Sequence, residues 1–272
     1  MAITTPRRRS DPDGRMPLRD HLRELRKRVV RAALGLLAGA VAGWFLYEPV
    51  LTALAQPIQE VAADRGASAS LNFRTVVGAF DLKVKVAIFI GVIVSCPVWI
   101  YQLWAFITPG LTRKERRYAM AFVFSGVPLF AAGAGLAYLF LGNAVRFLIE
   151  FTPTDYNSFI DAQDYLSFVM RIILAFGLSF LVPLVLVALN FTGLLSARAM
   201  VGAWRWIVVI AFTFAAIATP TPDVLSMFML AMPLLALFAM AVGIAALNDR
   251  RRRRSSSEPD YRDLDDDEAS PL

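Results

Sequence analysis

Long, predominantly apolar stretches are the feature of this sequence that most restricts how the chain can fold. Two of them, Val29–Leu46 apart from Arg31 and Leu225–Leu247, are apolar on every helical face. A helix of about 20 residues spans a bilayer core about 30 Å thick, whereas strands of a membrane β-barrel have about ten residues of alternating polarity. We therefore predict an all-α polytopic membrane protein and exclude the barrel class.

The composition limits the chemistry that the chain can perform. The 272 residues are 57% hydrophobic and 18% charged, with a net charge of +6, while a soluble domain carries about 25% charged residues. Cys96 is the only cysteine and His21 the only histidine, which excludes an intramolecular disulfide, paired-histidine haem ligation and an HExxH metalloprotease. We expect neither enzymatic activity nor a bound cofactor or metal.

Six hydrophobic segments follow one another along the chain. The fifth is shorter than the roughly 20 residues that a full crossing needs, so we expect a partial span or a locally thinned bilayer. A basic amphipathic helix, Pro17–Arg31, is expected to lie on the membrane surface before the first segment. The segments cover about Val29–Leu54, Val84–Phe106, Tyr118–Leu141, Leu166–Phe191, Trp204–Ala218 and Val224–Leu247.

Lys and Arg residues concentrate in alternate connections, and this bias sets the predicted orientation. Basic residues cluster before the first segment, between the second and third, between the fourth and fifth, and after the sixth. We predict six crossings of the bacterial cytoplasmic (inner) membrane, with both termini in the cytoplasm and the N-terminus retained. The predicted parts are a disordered basic tail (1–16), a six-helix transmembrane domain (17–248) and a disordered tail, first basic and then acidic (249–272).

Glycines repeat every four residues on one face of the first segment. Gly35, Gly39 and Gly43 form a stripe of small residues that allows another helix to approach closely. We favour packing within the chain over a contact between two copies.

Three acidic residues are the functional candidates. Glu24 either pairs with Arg28 at i, i+4 or is available to an arginine of a partner, and spacing leaves both open. Glu115 is favoured as the third residue of a capping box begun by Thr112. Asp223 is favoured as a carboxylate that complements the dipole at the start of the sixth helix.

Several motifs, taken in order, resemble the TatC family, the core subunit of the twin-arginine protein translocase. The resemblance covers about Leu18 to Leu247, nearly the whole chain apart from its tails. The motifs are HLRELRKR (21–28), YQLWAF (101–106) with Pro109, ERR (115–117), YLSF (165–168), FGLSF (176–180) with Pro183, and TPTPD (219–223).

The resemblance implies a concave, cupped-hand fold of six helices with a short fifth and sixth helix. It also implies a receptor on the cytosolic face for signal peptides of folded exported proteins, which carry paired arginines. In the family, recognition uses two acids that correspond to Glu24 and Glu115 here. Each arginine can form a planar bidentate pair with one carboxylate, which a lysine cannot reproduce.

Five further positions carry over from the family one by one. Arg26 and Phe106 correspond to signal-peptide-binding positions, and Pro57, Tyr138 and Asp223 to other functionally important ones. The implied partners are the single-span proteins TatA and TatB, further TatC copies in the complex and the lipid bilayer, with no nucleic acid. Transport is expected to use the proton-motive force and not ATP, since the sequence has no GxxxxGK[ST] loop.

One departure from the family and one rival function remain. Known members have an acid after the Phe-Gly-x-x-Phe stretch, where this sequence has Leu181, and Gln163 is one polar group that could substitute for it. The rival is a small-solute secondary transporter. We favour it less because the sequence shows no internal repeat and its span centres lack acids and bases.

Overall fold

The computed structural model describes residues 18–64, 71–73, 75, 77–107, 113–150, 160–218 and 224–255. These ranges contain α-helices and two strands of two residues each. The elements are α1 (Leu18–Phe45), α2 (Tyr47–Asp64), β1 (Leu71–Asn72), α3 (Gly78–Val94), α4 (Cys96–Ile107), α5 (Arg113–Glu150), β2 (Ile160–Asp161), α6 (Ala162–Phe191), α7 (Ala197–Gly202), α8 (Trp204–Ala218) and α9 (Val224–Ser255).

The helices form two compact units. The first contains α1 to α5 and α6 as far as Leu181, and the second contains the rest of α6, α7, most of α8 and α9. In the first unit, β1 and β2 pair in parallel, with Leu71 opposite Ile160 and Asn72 opposite Asp161. This ladder brings the starts of α3 and α6, the helices that follow the two strands, to the same level.

The first hydrophobic segment is broken at Leu46, so the predicted single span over Val29–Leu54 is wrong beyond Phe45. Pro49 has no N–H for the Phe45 carbonyl, and its ring would collide with that carbonyl in a continuous helix. Proline is tolerated in the first turn of a new helix, where the N–H groups lack intrahelical acceptors. The predicted lead-in, Pro17–Arg31, is no separate surface helix, because α1 continues through it into the span.

The second hydrophobic segment is bent by 58° between α3 and α4. Pro97 has no N–H to donate to the Ile93 carbonyl, so the hydrogen-bond ladder is interrupted there. The bend is stabilised by the Ser95 N–H, which donates to the Gly91 carbonyl at 2.9 Å. The segment also begins at Gly78, earlier than predicted, and this places several charged residues inside α3.

The glycine stripe of α1 packs against α3, as favoured from the sequence. A Cβ on Gly39 would lie 2.8 Å from the Gly91 carbonyl oxygen, and one on Gly43 would lie 2.6 Å from the Ala87 carbonyl oxygen. Gly35 faces Val98 of α4. Because later residues of α1 contact earlier residues of α4 and α3, α1 runs antiparallel to both helices.

The core of the first unit lies where α4, α5 and α6 meet. Phe130 and Phe176 are 1% and 0% exposed. The Phe130 ring packs on Gly177 of α6, and the Phe180 ring of α6 packs on Gly133 of α5. Trp99 of α4 contacts the Phe130 ring edge to face at 5.5 Å between centroids. Aromatic rings opposite glycines allow α5 and α6 to approach closely.

A buried polar network organises the second unit. Asn190 donates to Asp249 Oδ1 at 2.9 Å and to the Leu195 carbonyl at 2.8 Å, and it accepts from Asn248 at 3.0 Å. Asp249 Oδ2 accepts from the Ala197 N–H at 2.8 Å. These bonds hold the connection between α6 and α7 against the C-terminal part of α9.

The apolar helices agree with the membrane class. Within the described ranges, four helices are long and apolar enough to cross a membrane, in α1, α5, α6 and α9, and the bent α3–α4 pair would make a fifth span. The short fifth segment is confirmed, since α8 has 15 residues. The expected short sixth helix is wrong, because α9 has 32 residues and runs to Ser255. The start of the tail predicted to be disordered (249–272) is therefore helical.

Candidate functional site

Glu24 lies in the early turns of α1 and forms an ion pair with Arg28. Arg28 Nε donates to Glu24 Oε1 at 3.1 Å, and Arg28 Nη2 contacts the same oxygen. The Glu24 and Arg28 side chains are 24% and 15% exposed. The i, i+4 interpretation is therefore realised in the free chain, and the carboxylate already accepts a guanidinium.

The surroundings of this ion pair are strongly cationic. Arg19, Arg23, Arg26, Lys27 and Arg31 are all exposed on α1, so Arg26 stands at the surface and not in a pocket. Half-buried Glu24 is thus a carboxylate surrounded by solvated cations. These cations repel other positively charged groups, so a further cation is favoured there only if it contacts the Glu24 carboxylate directly.

Helix α4 packs against both α1 and α5, and so connects the two regions that carry the candidate acids. Because α1 is antiparallel to α3 and α4, the end of α4 lies at the same end of the unit as the start of α1. Phe106, near this end, is half-buried. Trp104 of α4 stacks on Phe122 of α5 with 4.4 Å between centroids, and both side chains are buried. The two helices on either side of residues 108–112, the second of which carries Glu115, are therefore firmly packed against each other.

Glu115 is the third residue of α5, a position that agrees with its predicted place in the first helical turn. Its side chain and the capping residue Thr112 lie outside the described residues, as does Asp223. The predicted capping box and the dipole interaction of Asp223 stay predictions.

Pro57 and Tyr138 are brought together at one point. Pro57 is buried within α2 and has no N–H for the Ala53 carbonyl. The Tyr138 hydroxyl of α5 donates to this carbonyl at 2.9 Å, and the Tyr165 hydroxyl of α6 donates to the neighbouring Leu54 carbonyl at 3.3 Å. Tyr138 thus satisfies the carbonyl that the proline leaves without a helical donor, and the two tyrosines tie α2 to α5 and α6.

Sequence reasoning did not assign Tyr165 this role, although the residue opens the YLSF motif. A buried proline leaves an acceptor four residues earlier, but only the fold shows which hydroxyl reaches it.

Leu181 is 4% exposed and fills a packed position. Gln163 lies 18 residues earlier on α6, about 27 Å away along the helix, and donates to Asp81 of α3. It does not take the place of an acid at position 181.

Arg171, a third of the way along α6, is a charged residue that the sequence analysis did not single out. It is exposed, and its Nε donates to the Ser167 carbonyl at 3.1 Å. A charge within a candidate span is a strong sign of a specific environment. The signal was present in the sequence as a single arginine in an apolar stretch.

Comparisons with known proteins agree with the motifs. The family model of the Sec-independent protein translocase protein TatC matches residues 20–233. The Xylanimonas cellulosilytica protein of that name is 47% identical over 89% of this chain and 88% of its own length. The Rothia mucilaginosa protein of the same name is 37% identical over 91% of this chain and 85% of its own length.

Solved structures give the same result. A crystal structure of the twin arginine translocase receptor TatC superposes with a TM-score of 0.70 and 30% sequence identity, covering 85% of this chain and all of that one. A second, in the detergent DDM, gives a TM-score of 0.71 and 29% identity over 83% of this chain and 99% of that one. Motifs, helix order and similarity over most of the chain therefore establish that it belongs to the TatC family of Sec-independent protein translocase proteins.

Proposed function

We propose that this chain is the receptor of a twin-arginine translocase and that Glu24 and Glu115 accept the two arginines of the signal peptide. The observation that carries the proposal is the contact of both Arg28 Nε and Arg28 Nη2 with Glu24 Oε1. A guanidinium occupies this carboxylate in the free chain. An arginine from a peptide can make the same contacts by displacing Arg28.

The energetics favour such an exchange. An i, i+4 ion pair on a helix contributes only about 0.2–0.5 kcal/mol, whereas a bidentate pair between arginine and carboxylate gains geometric specificity and two charge-assisted bonds. Releasing Arg28 therefore costs little compared with what the incoming arginine gains. Phe106, at the nearby end of α4, would pack against the apolar part of the peptide, and Arg26 would limit the approach of other cations.

The wider arrangement is part of the same proposal. The chain crosses the bacterial cytoplasmic membrane six times with both termini in the cytoplasm, and α8 is the shortest crossing. It assembles with TatA, TatB and further TatC copies, and the proton-motive force drives export of folded precursors. The support is the family membership, the four or five apolar helices of sufficient length and the loop charges. The chain serves as a receptor and scaffold and not as an enzyme.

The test is binding of a labelled signal peptide to the purified full-length chain. A peptide with Arg-Arg should bind at least about tenfold more tightly than its Lys-Lys twin, since lysine cannot form the bidentate pair. Glu24→Gln and Glu115→Gln should each weaken Arg-Arg binding by roughly tenfold. Glu48→Gln is the matched control, because Glu48 is an exposed acid in the first turn of α2, outside the proposed site.

Two results would contradict the proposal. Equal binding of the two peptides would show that the arginines are not recognised as such. Unchanged binding to both acid variants, in proteins with unchanged melting temperatures, would limit Glu24 to its pair with Arg28 and Glu115 to helix capping.

A further inference from the structure

A groove between α3 and α6 lies in the first unit, away from the proposed peptide site. It encloses about 600 Å³. Lys85, Asp164 and Arg171 line its polar end, and Ile88, Phe89 and Leu174 line its apolar part. Both helices belong to candidate membrane spans, so the groove runs along membrane-spanning surface.

The two cations of the groove stand at nearly the same depth. Gln163 of α6 donates to Asp81 of α3 and lies beside Gly78, so the starts of the two helices are at nearly the same level. At 1.5 Å per residue, Lys85 lies about 10 Å and Arg171 about 14 Å beyond the first residue of its helix. Because α6 is about 45 Å long, it exceeds a 30 Å bilayer core by several ångströms at each end. Both long side chains can therefore reach the level of the lipid phosphates.

The polar contacts of these cations leave donors available. Lys85 Nζ lies 2.7 Å from Asp81 Oδ2, and Gln163 donates to the same carboxylate. Arg171 Nε donates to the Ser167 carbonyl at 3.1 Å, which directs the guanidinium towards the start of α6. An ammonium has three N–H donors and a guanidinium five, so each group can also donate to an anion in the groove.

We propose that this groove binds one phospholipid, with its phosphodiester between Lys85 and Arg171 and an acyl chain along Ile88, Phe89 and Leu174. Charge complementarity selects this occupant: at phosphate depth Asp81 neutralises Lys85, while Arg171 bonds only a backbone carbonyl among the described residues, so the balance there is positive. Asp164 lies about 10 Å nearer the helix start than Arg171, beyond the phosphate and beside the outer part of the headgroup. An apolar partner helix would leave Arg171 without an anion.

The test measures lipid retention by the full-length chain. Purified protein in detergent is incubated with phosphatidylglycerol, or with a diacylglycerol of the same acyl chains, and bound lipid is counted by native mass spectrometry. We expect one retained phosphatidylglycerol, and we expect diacylglycerol to bind at least roughly tenfold more weakly than phosphatidylglycerol. The double variant K85Q/R171Q should lose phosphatidylglycerol by a similar factor.

Lys83→Gln is the matched control, since it removes the same charge from the same helix. Lys83 Nζ faces the Trp44 and Tyr47 rings, at 4.6 and 5.4 Å from their centroids, and not the groove. We expect its lipid binding to stay within about twofold of the unmodified chain, because a charge that faces away from the groove contributes little to binding in it.

Three outcomes would overturn the proposal: equal retention of the two lipids, unchanged retention by K85Q/R171Q, or an equal loss in K83Q. The proposal would also be overturned if K85Q/R171Q lost copurifying single-span proteins while its lipid retention stayed unchanged, because the groove would then be a protein interface. If the double variant does not fold, R171Q alone decides in the same way, since it leaves the Lys85–Asp81 ion pair intact.

Discussion

At the scale of single residues, Glu24 accepts both of its contacts from Arg28 on one oxygen, Oε1. Arg28 therefore competes with any arginine that approaches the carboxylate from outside. It also adds to the positive charge that repels such an arginine. Both effects oppose peptide binding, and both depend on the same side chain.

Arg28→Gln should accordingly strengthen binding of an Arg-Arg signal peptide by about twofold or more, which corresponds to losing a helical ion pair of about 0.2–0.5 kcal/mol and some repulsion. The dissociation constant of the labelled peptide measures this, with Lys27→Gln as a control for charge removal from an exposed position. Weaker binding, at the level of Glu24→Gln, would show that Arg28 holds the carboxylate in its binding orientation.

Tyr138 has a structural role that depends on Pro57. Tyr138→Phe removes the hydroxyl that donates to the Ala53 carbonyl at 2.9 Å and should lower the free energy of unfolding by about 1 kcal/mol. In a Pro57→Ala background, the N–H of Ala at position 57 can bond this carbonyl, so the same change should cost less. Denaturant unfolding in detergent micelles checks both values. An equal cost in the two backgrounds would mean that the proline and the hydroxyl are not coupled.

At the scale of helices, the packing of α1 on α3 relies on glycines that almost touch the opposite backbone. A Cβ on Gly39 would lie 2.8 Å from the Gly91 carbonyl oxygen, closer than packing allows. Gly135 of α5 has no atom within 4 Å of such a Cβ among the described residues. The two glycines therefore form a natural contrast.

Gly39→Ala should destabilise the protein by about 1–3 kcal/mol through overpacking, whereas Gly135→Ala should be neutral or stabilise it by up to about 1 kcal/mol through helix propensity. Melting temperatures in the same detergent provide the comparison. If both variants melted alike, the close contact between α1 and α3 would not be present in the folded protein.

At the scale of the whole molecule, the proposed topology can be tested with the single native cysteine. Replacing buried Cys96 by Ala gives a background for new cysteines at the exposed positions Phe73 and Leu194. A membrane-impermeant thiol reagent added to intact cells should label the cysteine at 73 and not the one at 194. Labelling of position 194 alone would show that the orientation is the opposite of the proposed one.

The membrane class, the short fifth helix and the role of the glycine stripe could be predicted because each depends on residues close in sequence. The break at Leu46 and the bend at Ser95 follow from Pro49 and Pro97, whose missing N–H groups leave no trace in the hydropathy of a continuous apolar run. The hydroxyl that reaches the Ala53 carbonyl comes from 85 residues away, and only tertiary packing determines such a pairing. The motif resemblance indicated Glu24 and Glu115 together, although spacing alone left both roles of Glu24 open and favoured helix capping for Glu115.

A double-mutant cycle between Glu24 and the peptide arginines tests the central claim most directly. Dissociation constants are measured for the unmodified chain and Glu24→Gln, each with the Arg-Arg peptide and its Lys-Lys twin. If Glu24 accepts a peptide arginine, the Lys-Lys change should weaken binding at least about tenfold in the unmodified chain and far less in the variant, a coupling of roughly 1–3 kcal/mol. The same loss in both proteins would show that the peptide arginines are bound elsewhere.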